Sequence, residues 1–206
     1  MMAGTCAEYD WSFGTCIEGA TPVRPISAYA RAMDEVRRAS ERIAEEAGIG
    51  LAWARLFFLY GPHEVESRLV PSVTRALLRG EHVGCSDGRQ VRDYLYVADA
   101  AEALVALLEA DVEGPVNIGS GEPREVRAII SCISEHTGGG ALVNWGALPR
   151  RENDPPCIVA STERLRHEAA WLPRTGLDEG IARTVAWWSH HMGIEQAHGA
   201  SLDAAR

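Results

Sequence analysis

Apolar side chains recur along the chain at two spacings, and the clearest series follows Pro25. Tyr29, Met33, Val36, Ser40, Ile43 and Ala47 succeed one another in alternating steps of four and three residues, which predicts a helix with one packed face. Ser27 is placed to cap its start and Gly48 and Gly50 to end it, giving a rod about 30 Å long. In that stripe Met33 reads most simply as core packing, and Tyr29, which begins it, has a core role as its alternative to a functional one. LAWARLFFLY, 51–60, is a largely apolar run closed by Gly61 and Pro62, as expected of a buried parallel strand leading into a functional loop.

Beyond it the pattern alternates. An amphipathic helix is predicted from Arg68 to Gly80, a short strand from Arg92 to Val97 and an Ala/Leu-rich helix from Ala98 to Ala110. Val116 to Ile118 reads as a strand, Gly119-Ser120-Gly121 as a turn and Arg124 to His136 as a helix. A strand is expected from Ala141 to Trp145 and a polar, Pro-containing segment from Arg150 to Pro156. Helices follow from Thr162 to Ala170 and from Leu177 to Met192, then a frayed tail over 196–206. The alternation implies an α/β fold with a mainly parallel sheet.

The 206 residues are 46% hydrophobic and 24% charged, enough for one sizeable core in one or two domains. A net charge of −9 and the absence of any basic run argue against nucleic acid as a partner. All 20 basic residues are arginine, so no catalytic lysine exists in this chain. Cys6, Cys16, Cys85, Cys132 and Cys157 contain no C-x-x-C pair and read as free, mostly buried thiols of a reducing cytoplasm, with no metal site. No basic n-region with an apolar h-region opens the chain, and no apolar run approaches the ~20 residues of a membrane span. The expected location is cytoplasmic.

Seven segments then stand in a telling order: GTCAEY at 4–9, SAYARAM at 27–33, RLFFLYGP at 55–62, RLVP at 68–71, RDYLYV at 92–97, VNIGSGEP at 116–123 and RENDPP at 151–156. In this order they resemble the extended short-chain dehydrogenases/reductases, the NAD-dependent epimerases, dehydratases and ketoreductases that act on nucleotide sugars. The resemblance implies an incomplete Rossmann-type parallel sheet with flanking helices and a small α/β substrate-binding part. Residues 1–62 would be the remnant of the dinucleotide-binding domain with the tyrosine helix, and 63–195 the mainly substrate-binding part.

In such enzymes a tyrosine hydroxyl exchanges a proton with the sugar while hydride passes to or from NAD or NADP, and a Ser/Thr hydroxyl binds the same oxygen. The resemblance assigns these catalytic roles to Tyr29 and Thr5. Free tyrosine, with a pKa near 10, is ionised to roughly one part in a thousand at neutral pH. The family lowers that pKa with a lysine four residues on, where this chain has Met33. A unit charge about 4 Å away is worth roughly 1 to 4 kcal/mol, or about one to three pKa units. The Gly-rich first turn of the family also has no counterpart here. Gly119-Ser120-Gly121 is the one competitor for a phosphate loop, although it lacks the third glycine and a downstream acid.

By resemblance Phe57 contacts the cofactor, Arg68, Leu69 and Val70 line the nucleotide, and Arg92 and Arg151 grip the diphosphate, a task suited to arginine forks. Phe58 replaces an asparagine that many relatives use to contact the sugar. Asp154 is expected to order its loop, and Trp187, Trp188, His190 and His191 to serve packing and solvent exposure. A homodimer through the tyrosine helix, or pairing with a full-length relative, is also implied. The enzymatic reading, impaired in this chain, stands beside two others: a non-catalytic nucleotide-sugar-binding or dimerisation module, and a truncated gene product without activity.

Overall fold

The computed structural model describes residues 1–194, so the expected tail over 196–206 lies outside the described residues. The order is β1 (Met2–Thr5), β2 (Thr15–Cys16), α1 (Ala28–Ala47), β3 (Ala52–Leu56), β4 (Phe58–Tyr60), α2 (Leu69–Leu78), β5 (Val83–Gly84), β6 (Val91–Arg92), β7 (Tyr94–Tyr96) and α3 (Val97–Glu109). There follow β8 (Gly114–Ile118), β9 (Arg124–Glu125), α4 (Val126–Thr137), β10 (Val143–Asn144), β11 (Cys157–Ala160), α5 (Glu163–His167) and α6 (Leu177–His191). The architecture is α/β, as expected, and every ladder is parallel except β6 with β9. Among the described residues no helix is long and apolar enough to cross a membrane.

The main sheet has the order β1-β3-β8, and β11 joins β2, β6 and β9 in a second. The run 51–60 is therefore not one strand. At Phe57 the backbone N–H bonds Ile118 O at 3.0 Å, and one residue later Phe58 N–H bonds Asp93 O at 3.3 Å, so the chain leaves the β8 ladder for β7. RDYLYV likewise breaks at Asp93. The segment expected as a strand from Ala141 to Trp145 is a 3-10 turn, Gly140–Leu142, followed by the two-residue β10.

The long helix forms as its signals dictate. Ser27 Oγ accepts from Ala30 N–H at 3.0 Å, and Gly48 ends the helix at φ 63°, the left-handed conformation glycine takes without a Cβ clash. Its packed face differs from the expected one. Tyr29 is 60%, Val36 44% and Ile43 65% exposed, Met33 is half-buried, and the buried residues are Ala30 and Asp34.

The reason lies beneath the helix. Glu8 is fully buried and accepts from Thr5 N–H and Trp53 Nε1, each at 3.0 Å, and from Arg55 Nε at 2.8 Å. Arg37 of α1 reaches toward it at 3.9 Å while pairing with Asp34 and Glu41, each at 2.6 Å. A helix laid over buried charge must present partners to it, so the charged face turns inward.

The apolar core is concentrated elsewhere. Val70, Val73 and Leu77 of α2, Ile129, Ile130 and Ile133 of α4, and Ile181 and Val185 of α6 form one cluster. A second joins Ala52 and Ala54 of β3, Val116 and Ile118 of β8, and Leu107 of α3.

Candidate functional site

Thr5 ends β1 and is 9% exposed. Its hydroxyl accepts from Ala7 N–H at 3.3 Å, and Glu8 returns the contact to Thr5 N–H, so the pair forms a capping box over the turn Cys6–Glu8. The hydroxyl keeps its own proton for a second partner. Helix α1 packs against β1 and this turn, which brings the element bearing Tyr29 to the end of the strand bearing Thr5. Tyr29 lies in the first turn of α1, and no hydrogen bond reaches its hydroxyl among the described residues.

Three arginines of α1 near the position of the absent lysine are engaged elsewhere. Arg31 donates to Ile26 O at 2.8 Å, and Arg37 and Arg38 are both held by Asp34. Phe57 is 6% exposed, its ring packed among Cys6, Tyr9, Cys16, Ile158 and Ala160.

A second group gathers around Phe58 and Tyr94, whose ring centroids lie 5.7 Å apart. Arg92 is buried, 5.8 Å from the Phe58 ring centroid, and donates to Pro155 O at 2.9 Å and Asp154 Oδ1 at 2.6 Å. Asp154 N–H in turn bonds Arg151 O at 3.1 Å, so one turn carries Arg151 beside the anchored Arg92. Asp154 thus orders its loop as expected. Arg151 is exposed and has no ion-pair partner among the described residues.

Arg68 occupies the N-cap of α2 and is exposed, Leu69 is half-buried, and Val70 is a core residue. Glu64, just before them, has one carboxylate oxygen buried without a hydrogen-bond partner. Burial pushes its carboxyl up to about 7, opposed by the charge of Arg68. Burial also raises Tyr94, with Glu64 adding to the rise and Arg92 and Arg68 opposing it. Tyr60, Tyr94, Ser120, Arg124, Arg174 and Thr175 line a neighbouring cleft of about 250 Å³.

The Gly119-Ser120-Gly121 turn does not offer a phosphate cradle. The carboxylate of Asp93 accepts from Ser120 N–H and Ser120 Oγ, each at 2.7 Å, from Gly121 N–H at 2.9 Å and from Ala160 N–H at 3.1 Å. The anion-binding groups of the turn are occupied from within. A Cβ on Gly119 would sit 2.8 Å from Asp93 Oδ2, which is why glycine stands there.

Trp188 is buried and Trp187 stacks on His191 with centroids 4.7 Å apart, a packing arrangement of α6. All five thiols are free. One constellation was missed by the sequence reading: Cys132, His136 and Asp178 bring three donor atoms within 4.8 Å of one another. The Cys-x-x-x-His step on one helix was the available signal, but Asp178 lies 42 residues beyond His136.

The chain is 29% identical to a UDP-glucose 4-epimerase of Corynebacterium glutamicum over 80% of its length and 56% of the relative's. It is 27% identical to UDP-glucuronic acid decarboxylase 1 of Xenopus tropicalis over 87% of its length and 42% of that protein's. The chain thus spans about half the length of these relatives. A UDP-glucose 4-epimerase of Thermotoga maritima, solved with UDP-glucose, superposes with a TM-score of 0.84 at 26% identity, covering 92% of this chain and 63% of that one. The parallel sheet with its flanking helices is accordingly of the Rossmann type found in such epimerases. Residues 1–119 match the NAD dependent epimerase/dehydratase family, and the chain belongs to that family.

Proposed function

We propose that the chain carries the nucleotide-sugar side of an NAD(P)-dependent epimerase, dehydratase or ketoreductase, with turnover impaired by Met33. The observation that carries this reading is Arg92, held against the Phe58 ring and tied through Asp154 to the turn that bears Arg151, with the charge of Arg68 acting on Tyr94. Arg92 is fixed by Asp154 and Pro155, and Arg151 adds a charge without an ion-pair partner among the described residues, a combination suited to a diphosphate. The Thermotoga relative was solved with UDP-glucose, a ligand of this class. The division at residue 62 belongs to the same proposal, as does a cytoplasmic setting for the five free thiols.

A dinucleotide pyrophosphate is held by free N–H groups of a glycine-rich turn at a helix N-terminus. The described residues do not fit that demand, because Asp93 takes the N–H groups of Ser120 and Gly121 and Met33 supplies no cation. No hydride step is therefore derived for these residues. Tyr29 and Thr5 hold the inherited proton-transfer positions, and Tyr29 lacks the charge that would activate it.

Calorimetric titration with UDP-glucose tests the reading. Saturable binding is expected, weakened about tenfold or more in Arg151→Ala, an exposed substitution that spares the fold, and lost in the Arg92→Ala, Arg151→Ala double variant. NADH is expected to give no saturable heat. Absence of any nucleotide binding by the folded wild type overturns the proposal. Homodimerisation through α1 is a second reading, favoured by the exposure of Val36 and Ile43 seven residues apart on one helix face. Sedimentation equilibrium decides it, and a monomer at micromolar concentration counts against it.

A further inference from the structure

Away from Tyr29 and the arginines, α4 and α6 bring a thiol, an imidazole and a carboxylate to one point. Cys132 and His136 stand four residues apart on the same face of α4, His136 in its last turn, and Asp178 lies in the first turn of α6. Asp178 Oδ1 is 3.8 Å from Cys132 Sγ and 2.9 Å from His136 Nε2, and all three donor atoms lie within 4.8 Å of one another. We propose that Cys132, His136 and Asp178 form a zinc site, with Zn²⁺ held by Sγ, Nε2 and one carboxylate oxygen and a water completing the tetrahedron.

Three observations support zinc over an ordinary ion pair. In a tetrahedral site with Zn–S about 2.3 Å and Zn–N or Zn–O about 2.0 to 2.1 Å, neighbouring donors stand roughly 3.4 to 3.6 Å apart. The separations here, 2.9 Å and 3.8 Å for the two pairs that Asp178 makes, bracket that spacing. Thiolate with imidazole is a borderline-soft donor set, which favours Zn²⁺ over Mg²⁺ or Ca²⁺. The helices are also fixed independently of the ligands, because Ile129 and Ile133 of α4 pack with Ile181 and Val185 of α6.

Burial grades across the site. Cys132 is 9% exposed, whereas the His136 and Asp178 side chains are 28% and 82% exposed, so the thiol closes the inner end and solvent reaches the outer one. That leaves an entry path and a position for water. Binding releases the thiol proton to solvent. The bound ion would staple the end of α4 to the start of α6 beside Leu177, which lines the cleft and whose carbonyl accepts from Tyr60 Oη at 3.5 Å.

The test is titration of the metal-stripped chain with Co²⁺, a spectroscopic substitute for Zn²⁺. One equivalent is expected to give tetrahedral d–d absorption and a thiolate-to-cobalt charge-transfer band, both bleached by Zn²⁺. The charge-transfer band should vanish in Cys132→Ser, and saturable binding should be lost in His136→Ala, a partly exposed position whose substitution spares the core. Zn²⁺ should raise the melting temperature of wild type and leave that of His136→Ala unchanged. The proposal is overturned if wild type shows no charge-transfer band, or if the band persists unaltered in either variant.

Discussion

Helices α1 and α4 solve the same problem by opposite means. Helix α1 has 20 residues and buries only Ala30 and Asp34, whereas α4 has 12 and buries Val126, Ile129, Ile130, Cys132 and Ile133. One lies over a buried glutamate that its Arg37 approaches at 3.9 Å; the other is held by close-packed hydrocarbon. Polar anchoring is directional and leaves the apolar edge of α1 in solvent, while apolar packing is non-directional and depends on shape.

The sharpest way to break the contrast is Glu8→Ala. It strips the partner from Arg55, which is 3% exposed, and leaves Thr5 N–H and Trp53 Nε1 without an acceptor. A loss of about 3 to 5 kcal/mol is expected in urea unfolding, the cost of a buried charge without its mate. Ile133→Ala in α4 should cost about 3 kcal/mol through lost transfer energy and a cavity. A smaller loss for Glu8→Ala than for Ile133→Ala would mean that the buried carboxylate beneath α1 contributes less than the packing of α4.

A pH titration sharpens the comparison between buried carboxylates. Glu8 has a full set of donors, whereas Glu64 has one buried oxygen without a partner and a carboxyl raised to about 7. Because the folded pKa lies above the unfolded one, the native state binds the extra proton between about pH 4.5 and 7. Stability therefore declines as pH rises through that window. After allowance for partial solvation the decline is on the order of 1 kcal/mol between pH 5 and 8, and Glu64→Gln should remove it. The smallest effect belongs to the α1 edge, where Ile43→Ala, at a position 65% exposed, should shift stability by no more than about 0.5 kcal/mol.

How much of this was legible beforehand depended on how local each cause is. The ends of α1 were readable because Ser27 and Gly48 act on their own turns. Its inward face was not, since the deciding charges sit on Glu8 and Arg55, far from the stripe in sequence. The break at Phe57 was hidden because both halves of 51–60 are apolar and only the identity of the paired strand changes. Strand β11 went unseen because four residues after two prolines carry little periodic signal. For the site, Thr5, Tyr29 and the arginines are candidates that motif order alone suggests. The occupation of the Gly119 turn by Asp93 and the meeting of Asp178 with Cys132 and His136 required three dimensions.

The carboxylate of Asp93 has one more consequence, for heredity rather than energetics. Its four donors come from Ser120, Gly121 and Ala160, and its close approach demands glycine at 119. RDYLYV and VNIGSG therefore constrain each other's sequence from two places in the chain. A recombination crossover between them would have to draw both sides from parents that agree on this turn, and a crossover within α1 would meet a condition of the same kind, because Glu8 lies on one side of it and Trp53 and Arg55 on the other.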